Sequence, residues 1–254
     1  MARLFFLGCL ALCLTAPGGA QAQTSPSVDW SGFYIGADLG GALSTVDTGT
    51  TVAEGGTYFI TTDFEQIADG GHGQMLQWRP AGRVHGGYAH QFGHAVLGIE
   101  VSAGSLLYDN SRSATFENLT IPGSFTNMKQ SVTADWVANM LARAGWGEDR
   151  WLAFVTGGLA VTRLEIDYRL DDGTAFEAHS RSSEHEVRFG WTLGLGGEYA
   201  FDERWSIRGQ YLYTNFGTMR TVSPVISLHA NQSDLEHSAR LQTHTALIGV
   251  SYRF

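Results

Sequence analysis

VRFGWTLGLGGEY, residues 187–199, changes side-chain character at every position. The odd positions carry Val, Phe, Trp, Leu, Leu, Gly and Tyr, and the even positions carry Arg, Gly, Thr, Gly, Gly and Glu. Because successive side chains of a β-strand point to opposite faces, this period of two predicts a strand with one apolar face. Residues 33–40 and 246–254, near the two ends of the chain, show the same alternation.

The alternation predicts eight strands, at 32–43, 80–92, 95–107, 132–146, 151–164, 185–201, 205–216 and 239–254. Each exceeds the roughly 9–11 residues with which a tilted strand crosses a bilayer. Three connections are short (93–94, 147–150 and 202–204), and four are long (44–79, 108–131, 165–184 and 217–238). Short turns at one end and long loops at the other are typical of bacterial outer-membrane barrels. We therefore predict an all-β fold: an eight-stranded antiparallel transmembrane β-barrel, an up-and-down meander with long extracellular loops and short periplasmic turns.

The first 22 residues have the features of a secretory signal peptide. Arg3 precedes an apolar run at 4–14, and Ala20-Gln21-Ala22 is a small-x-small cleavage site. We predict cleavage after Ala22, which leaves residues 23–254 as the barrel domain. Both cysteines, Cys9 and Cys13, lie in the predicted signal, so we expect no disulfide in the mature protein.

The composition narrows the possible functions. A net charge of −9 argues against nucleic acid as a partner. Only 16% of the 254 residues are charged, against roughly a quarter in an average soluble domain. No segment after residue 22 has 18 consecutive apolar residues, so we expect no transmembrane helix. An exported chain of this kind belongs in the outer membrane as a closed barrel or in the periplasm as a soluble protein.

Aromatic residues gather at the predicted strand ends and favour the membrane barrel. We predict a girdle at the two membrane surfaces, formed by Trp30, Trp146, Trp151, Tyr199 and Trp205 on the periplasmic side and by Trp78, Trp136 and Tyr213 on the outer side, with Tyr108 also at the outer ends. Aromatic rings are enriched at both interfaces of such barrels. The alternative is a soluble β-sandwich, but its core would spread these rings along the strands.

Several stretches resemble a known family. Trp30-Ser31-Gly32-Phe33-Tyr34-Ile35-Gly36 resembles the opening strand of the small outer-membrane β-barrels found as surface antigens in alphaproteobacteria, and 190–206 and Tyr252-Arg253-Phe254 are similar to its later strands. The resemblance implies an eight-stranded barrel like the OmpA transmembrane domain and OmpX, with no large pore and a role in envelope integrity. Leu141 and Leu247 depart from the family pattern, because they stand where an interior Arg is usual.

Most charged residues of the predicted strands occupy positions whose side chains face the interior of the barrel. We predict a polar network in the lumen, formed by Asp38, Arg83, Glu100, Arg143, Arg188, Glu198, Arg208 and Gln210. An eight-stranded barrel is only wide enough for its side chains to fill, and buried charges must pair. A packed plug is the first interpretation, and a narrow channel for ions or small solutes is the alternative.

The remaining predictions concern assembly, partners and catalysis. The outward alternation of Ile248, Val250, Tyr252 and Phe254 resembles the C-terminal signal read by the barrel-assembly machinery, for which an exposed strand edge offers hydrogen bonds. We expect a monomer in contact with outer-membrane lipid and lipopolysaccharide, which the acidic loops could approach through divalent cations. A loop-mediated adhesin is another alternative. Asp234, His237 and Ser238 are neighbours of the types used by hydrolases, but such a trio is common in polar loops. We predict no catalytic residue, metal site or cofactor.

Overall fold

The eight strands close into a ring in chain order. The computed structural model describes residues 28–53, 61–119, 121–173, 179–226 and 233–254, so the predicted signal peptide and its cleavage site lie outside the described residues. The strands are β1 (Gly32–Val52), β2 (Gly73–Phe92), β3 (Ala95–Glu117), β4 (Phe125–Glu148), β5 (Trp151–Asp171), β6 (His179–Ala200), β7 (Trp205–Val225) and β8 (Ser233–Arg253). All neighbours are antiparallel, and β1 pairs with β8, which confirms the predicted barrel.

The register fixes the width of the barrel. Following hydrogen-bonded partners once around the ring from Tyr34 on β1 leads back to β1 at Ser44, ten residues further along. The path runs through Gly87, Glu100, Leu141, Gly158, Thr192, Thr214 and Thr243. With eight strands, such a shear inclines the strands by about 40° and leaves an interior that side chains can fill.

The strands extend far past the predicted outer ends. β1 continues to Val52 and β3 to Glu117, so most of the predicted loop residues at 44–79, 108–131, 165–184 and 217–238 belong to strands. The prediction of four long loops was wrong in extent. Polar residues such as Asp47, Ser111 and Asn127 in these segments face water from the outer side of a strand, so the composition alone resembles that of a loop.

A helix lies between β1 and β2. α1 (Thr61–Gly71) covers part of the outer end and buries Ile67. Gly70 and Gly71 are the last two residues of this helix. Among the described residues no helix is both long and apolar enough to cross a membrane.

The polarity of the two faces reverses along the strands. In the half near the short turns, the exposed outward side chains are apolar; examples are Phe33, Leu39, Leu97, Leu159 and Leu195. In the outer half the apolar side chains are buried inside instead; examples are Val46, Val132, Leu164, Ile166 and Leu241. Outward positions there carry residues such as Asp47, Ser111, Lys129 and Arg240, all exposed. The lower half is therefore built for lipid and the outer half for water.

The outer half is no longer a continuous cylinder. Within the described strands, β2 and β3 pair only from Phe92↔Ala95 up to Arg83↔Gly104, and β6 and β7 pair only up to Trp191↔Asn215, apart from one bridge at His179↔Ile226. Above these points two four-stranded sheets, β7-β8-β1-β2 and β3-β4-β5-β6, enclose the apolar core as a sandwich. We call the two lines of separation the seams.

Side chains close the seams where backbone pairing stops. The Gln77 amide donates to Asp109 O (2.7 Å) and accepts from Asp109 N (2.9 Å), and so replaces one step of the ladder. Arg188 Nη2 donates to Thr218 O (2.7 Å) across the other seam. Buried backbone groups need such partners, because an unsatisfied group costs free energy.

Register shifts mark the level where the cylinder becomes a sandwich. They lie between Ser105 and Tyr108 on β3, between Thr133 and Val137 on β4, and between Asn215 and Thr218 on β7. On β7 the shift contains Gly217 with a φ of 71°, a conformation that glycine adopts without strain. An extra residue bends a strand and changes which side chains face inward.

The polarity reversal predicts opposite responses to an outward charge in the two halves. We expect Leu159→Arg, at a position 63% exposed on the lower half of β5, to lower the free energy of unfolding in lipid vesicles by about 2–4 kcal/mol. Ser111→Arg, outward on the upper half of β3, should change it by less than about 0.5 kcal/mol. Urea titration of the vesicle-embedded barrel measures both. Equal, small effects would mean that Leu159 does not face lipid.

Candidate functional site in the lumen

The centre of the lumen holds a network of charged side chains from both sides of the barrel. Asp38 on β1 accepts from Arg83 Nε (2.9 Å) and Nη2 (2.6 Å) on β2. Glu100 on β3 accepts from Arg208 Nη1 (2.9 Å) and Nη2 (3.2 Å) on β7, a bidentate pair that fixes both planes. All four side chains are at most 6% exposed, and their opposite charges offset one another where a single charge would be costly.

Neutral groups join these two pairs into one network. Gln210 Oε1 accepts from Arg83 Nη2 (2.5 Å) and from Arg208 Nη2, so the amide lies between the two guanidinium groups. The His85 ring contacts Asp38 Oδ2 through Nδ1 (3.1 Å) and the Ser251 hydroxyl through Nε2 (3.0 Å). Alternation along β2 puts His85 on the same inward face as Arg83, but the sequence alone indicates no partner for it.

A second part of the network lies nearer the periplasmic end. Arg143 Nη2 donates to Glu198 Oε2 (2.5 Å), and the Ser206 hydroxyl donates to Glu198 Oε1 (2.5 Å). The Arg143 guanidinium also lies 3.7 Å from the centre of the Phe154 ring, a cation–π contact. Arg143 Nη1 is 3.9 Å from Glu100 Oε2, which links the two parts.

Two predicted positions are corrected. Trp30 is 1% exposed, so it is not a girdle residue; its ring lies inside the barrel mouth, 4.5 Å from the Arg253 guanidinium carbon. Arg188 faces inward but lies in the outer half, where it contacts Glu186 (3.1 Å) and closes a seam, and it has no contact with the central network within the described residues. For Arg188 the alternation predicts the inward face correctly but not the position along the barrel axis.

The other predicted girdle residues lie on the outward face. Trp146, Trp151 and Trp205 are exposed near the short turns, and Tyr199 is half-buried against Trp151, with ring centres 4.6 Å apart. Trp78 and Trp136 are exposed towards the outer half, where Tyr213 is half-buried. Tyr108, also expected at the outer interface, is instead 1% exposed inside the sandwich.

Apolar layers cross the lumen above the charges. Leu141, Leu212 and Leu247 pack with Ala42 and Ala81 directly above the network. A layer of hydroxyl and amide groups follows, in which Thr192 contacts Thr214 (2.9 Å). The sandwich core around Val132 and Leu241 closes the top. A cavity of about 30 Å³ between these layers has room for about one water molecule.

A buried chain of hydrogen bonds crosses the sandwich itself. Gln130 Nε2 donates to the Thr50 hydroxyl (2.8 Å), which contacts His237 Nδ1 (3.1 Å), and His237 Nε2 contacts the Ser223 hydroxyl (2.8 Å). The Ser180 hydroxyl contacts Ser223 (2.8 Å) and so carries the chain across a seam. When His237 is neutral with its proton on Nε2, its ring accepts from the Thr50 hydroxyl and donates to the Ser223 hydroxyl, to which Ser180 also donates. His237 lies outside the membrane-spanning part, and burial lowers its pKa to about 4.

The side chains of Asp234, His237 and Ser238 do not come together. His237 points inward to Thr50 and Ser223, whereas Asp234 is exposed and Ser238 contacts Gly49 O (3.5 Å) from the other face. Their adjacency in sequence therefore makes no triad. In the part of the chain that the structure describes, no group of three or more His, Cys, Asp or Glu side chains could hold a metal ion.

The last strand, β8, pairs with β1. Ile248, Val250, Tyr252 and Phe254 all point outward, and Phe254 is 72% exposed. Residues from Leu235 to Arg253 pair with β1, so the strand that would carry the assembly signal also closes the barrel.

Comparison with known proteins agrees with this architecture. The family model described as the outer membrane protein beta-barrel domain matches residues 9–254. The 31 kDa outer-membrane immunogenic protein of Brucella melitensis is 27% identical, and the alignment covers 100% of this chain and 97% of that protein. The 22 kDa outer membrane protein of Rhizobium leguminosarum is 27% identical over 77% of this chain and 69% of its own. The crystal structure of OprG from Pseudomonas aeruginosa aligns with a TM-score of 0.43 at 13% identity, over 90% of this chain and 98% of that chain.

The charge network predicts a strong dependence on Glu100. We expect Glu100→Gln to lower the free energy of unfolding by about 3–5 kcal/mol, because it leaves buried guanidinium groups without their carboxylate. Glu165→Gln removes an exposed carboxylate 3.8 Å from His185, and it should change the free energy by less than about 1 kcal/mol. The measurement is urea unfolding in vesicles at pH 7. A loss at Glu100 as small as that at Glu165 would contradict a closely packed network.

The buried histidine predicts acid sensitivity of the outer half. The unfolded chain binds a proton at His237 near pH 6.5 and the folded chain only near pH 4, so stability is present above pH 6.5 and falls as the pH drops towards 4. The loss from this group amounts to about 3 kcal/mol at most. His237→Gln should flatten the fall in the urea midpoint between pH 7 and 4, whereas His185→Gln, at an exposed position, should not. An unchanged slope in His237→Gln would refute the assignment.

Proposed function

This chain belongs to the outer membrane protein beta-barrel domain family and is an outer-membrane protein, and from that premise we propose that it is a non-conducting, non-catalytic structural barrel that displays a folded sandwich at the cell surface. Its contribution is to envelope integrity. The lower half anchors the protein in the bilayer, and the outer half is the exposed part.

The observation that carries this proposal is the filling of the lumen at successive levels. The charge network, the layer around Leu141 and Leu247, and the sandwich core lie one above another along the barrel axis. Water and ions would have to displace both paired charges and packed apolar side chains in order to pass. Leu141 and Leu247, where the family usually carries Arg, add to the apolar barrier.

A narrow channel has less support. A conducting path needs a continuous polar lining or space for water. The cavity between the layers has a volume of about 30 Å³, which is enough for about one water molecule. The guanidinium groups of Arg83 and Arg208 are each held by a carboxylate and by the Gln210 amide, so a passing anion would compete with these buried partners.

The absence of catalysis is likewise part of the proposal. The support is that the Ser251, His85 and Asp38 side chains, each within hydrogen-bond distance of the next, are at most 5% exposed inside the lumen. His237 is likewise buried, within the sandwich. A hydrolytic site needs all three groups within hydrogen-bond reach of a substrate.

Surface display follows from the outer half. Its outward residues are polar and its core is apolar, as in a water-soluble sandwich, so it folds without lipid contact. The Brucella relative is named an immunogenic outer-membrane protein. We extend that property to this chain as a surface antigen, whose exposed epitopes lie on the strand faces rather than only on loops.

The partners of the barrel remain predictions within this proposal. Ile248, Val250, Tyr252 and Phe254 present the outward edge that the barrel-assembly machinery would read, and lipopolysaccharide surrounds the outer girdle. A monomer suffices, because the ring is closed within one chain and leaves no unpaired edge at the membrane level.

Electrical recordings test the proposal directly. We expect the purified full-length barrel in planar bilayers to give no reproducible conductance steps, because the lumen has no continuous water path. A general porin reconstituted in the same way serves as the positive control, and gel mobility with and without boiling verifies the fold. Discrete openings whose ion selectivity changes in Leu247→Glu would place an ion path in the lumen and overturn the proposal.

A further inference from the structure

Two short turns of the barrel carry the same sequence pattern. Glu148-Asp149-Arg150-Trp151 joins β4 to β5, and Asp202-Glu203-Arg204-Trp205 joins β6 to β7. Each is two acidic residues followed by Arg and Trp. The lumen and the outer sandwich make no use of these charges, and a tight turn needs no Arg followed by an exposed Trp. The repeated pattern therefore indicates that these residues have a role at the periplasmic rim of the barrel.

The two turns are brought together at the rim. Trp151 pairs with Tyr199 at the end of β6, Ala200 N donates to Arg150 O (2.9 Å), and Arg150 Nη1 donates to Phe201 O (3.1 Å). Arg204 Nη1 in turn donates to the hydroxyl of Tyr252 on β8 (3.2 Å). Each Arg is thus held in place by one nitrogen, while its other N–H groups have no hydrogen-bond partner among the described residues.

Both guanidinium groups line one open groove of about 870 Å³, a size typical of small-ligand sites. Asp29, Asp202 and Glu203 line the same groove. Asp202 accepts from the backbone N–H groups of Arg204 and Trp205 (2.8 Å each), which lowers the pKa of its carboxyl, with a smaller effect from the positive charges of Arg204 and Arg150. The groove is therefore lined by positive and negative groups in comparable number.

The groove lies at the level of lipid headgroups. Trp151, Phe201 and Trp205 are 63%, 52% and 47% exposed on the outward face, where aromatic rings mark a membrane interface. The short turns place this rim on the periplasmic side, where the leaflet is made of phospholipid and not of lipopolysaccharide. A headgroup in this leaflet can reach the groove while its acyl chains lie along the aromatic rings.

We propose that this groove binds the zwitterionic headgroup of a phospholipid that carries a phosphate and a primary ammonium. Arg150 and Arg204 donate to the phosphate oxygens, since guanidinium groups recognise phosphate well. Glu203 and Asp29 accept from the ammonium, which offers three N–H donors as a lysine does. The site rests on the membrane location of the barrel but not on whether its lumen conducts.

Lipid competition tests the site on the full-length barrel in detergent. We expect native mass spectrometry to show more retained phosphatidylethanolamine than phosphatidylglycerol or phosphatidylcholine. The first has phosphate and primary ammonium, the second lacks the cation, and the third has a quaternary cation without N–H donors. Arg150→Gln/Arg204→Gln should reduce retention of phosphatidylethanolamine by roughly fivefold to tenfold, the equivalent of about 1–1.4 kcal/mol.

Two further variants separate the site from general lipid contact. Arg163→Gln removes an exposed Arg on the outer part of β5 and should leave retention unchanged. Glu203→Gln should lower the preference for phosphatidylethanolamine over phosphatidylglycerol, because it removes a partner of the ammonium. Heat-dependent gel mobility verifies that each variant folds. Equal retention of all three lipids, or retention unaffected by the double Arg variant, would overturn the proposal without bearing on conductance.

Discussion

The interior of an eight-stranded barrel with a shear of ten residues is narrow enough for its own side chains to fill. Every inward charge must therefore find its counter-charge within the ring, and the central network follows from that constraint. Asp38 and Glu100 hold Arg83 and Arg208, and Gln210 joins the two pairs. Inward glycines supply the room: a Cβ at Gly249 would collide with Asp38 Oδ1. The same close packing supports the proposal that the lumen does not conduct.

The solvent around the wall changes along each strand, and the architecture changes with it. In lipid, every backbone group needs a partner in the wall, so the lower ring is closed by continuous backbone pairing. In water a side chain can take over that task, as Gln77 and Arg188 do, so the seams are tolerated only in the outer half. Where backbone pairing stops at the seams, the two sheets can approach each other and bury an apolar core. The bulges on β3, β4 and β7 lie where this change takes place.

The sequence predicts the lower half well, because one rule, outward apolar and inward polar, holds on every strand there. It therefore indicates the number of strands, the short turns and the inward face of Asp38, Glu100 and Arg143. It fails where the rule inverts: Val46, Leu164 and Leu241 face inward, and segments rich in Ser and Thr were interpreted as loops. Trp30 fails for another reason, because alternation cannot tell a ring that lies in the mouth of the barrel from one at its rim. Tyr108 follows the register shift on β3, which changes the face on which its side chain lies. Arg188 faces inward, as predicted, but it lies in the outer half and not at the level of the central network. The position of a residue along the barrel axis depends on the tilt of the strands, which the alternation does not give.

The inverted outer half shows how continued strands can extend a folded structure into water without long loops. A loop of twenty polar residues would carry the full cost of ordering its backbone with few contacts to offset it. Continued as paired strands, the same residues bury Val132, Tyr168 and Leu235 between two sheets and keep their charges in water. The barrel beneath sets the spacing of the strands that enter the sandwich, and so each half specifies the other. Changes to exposed residues leave that shared framework intact, which lets the displayed surface vary while the anchor stays the same.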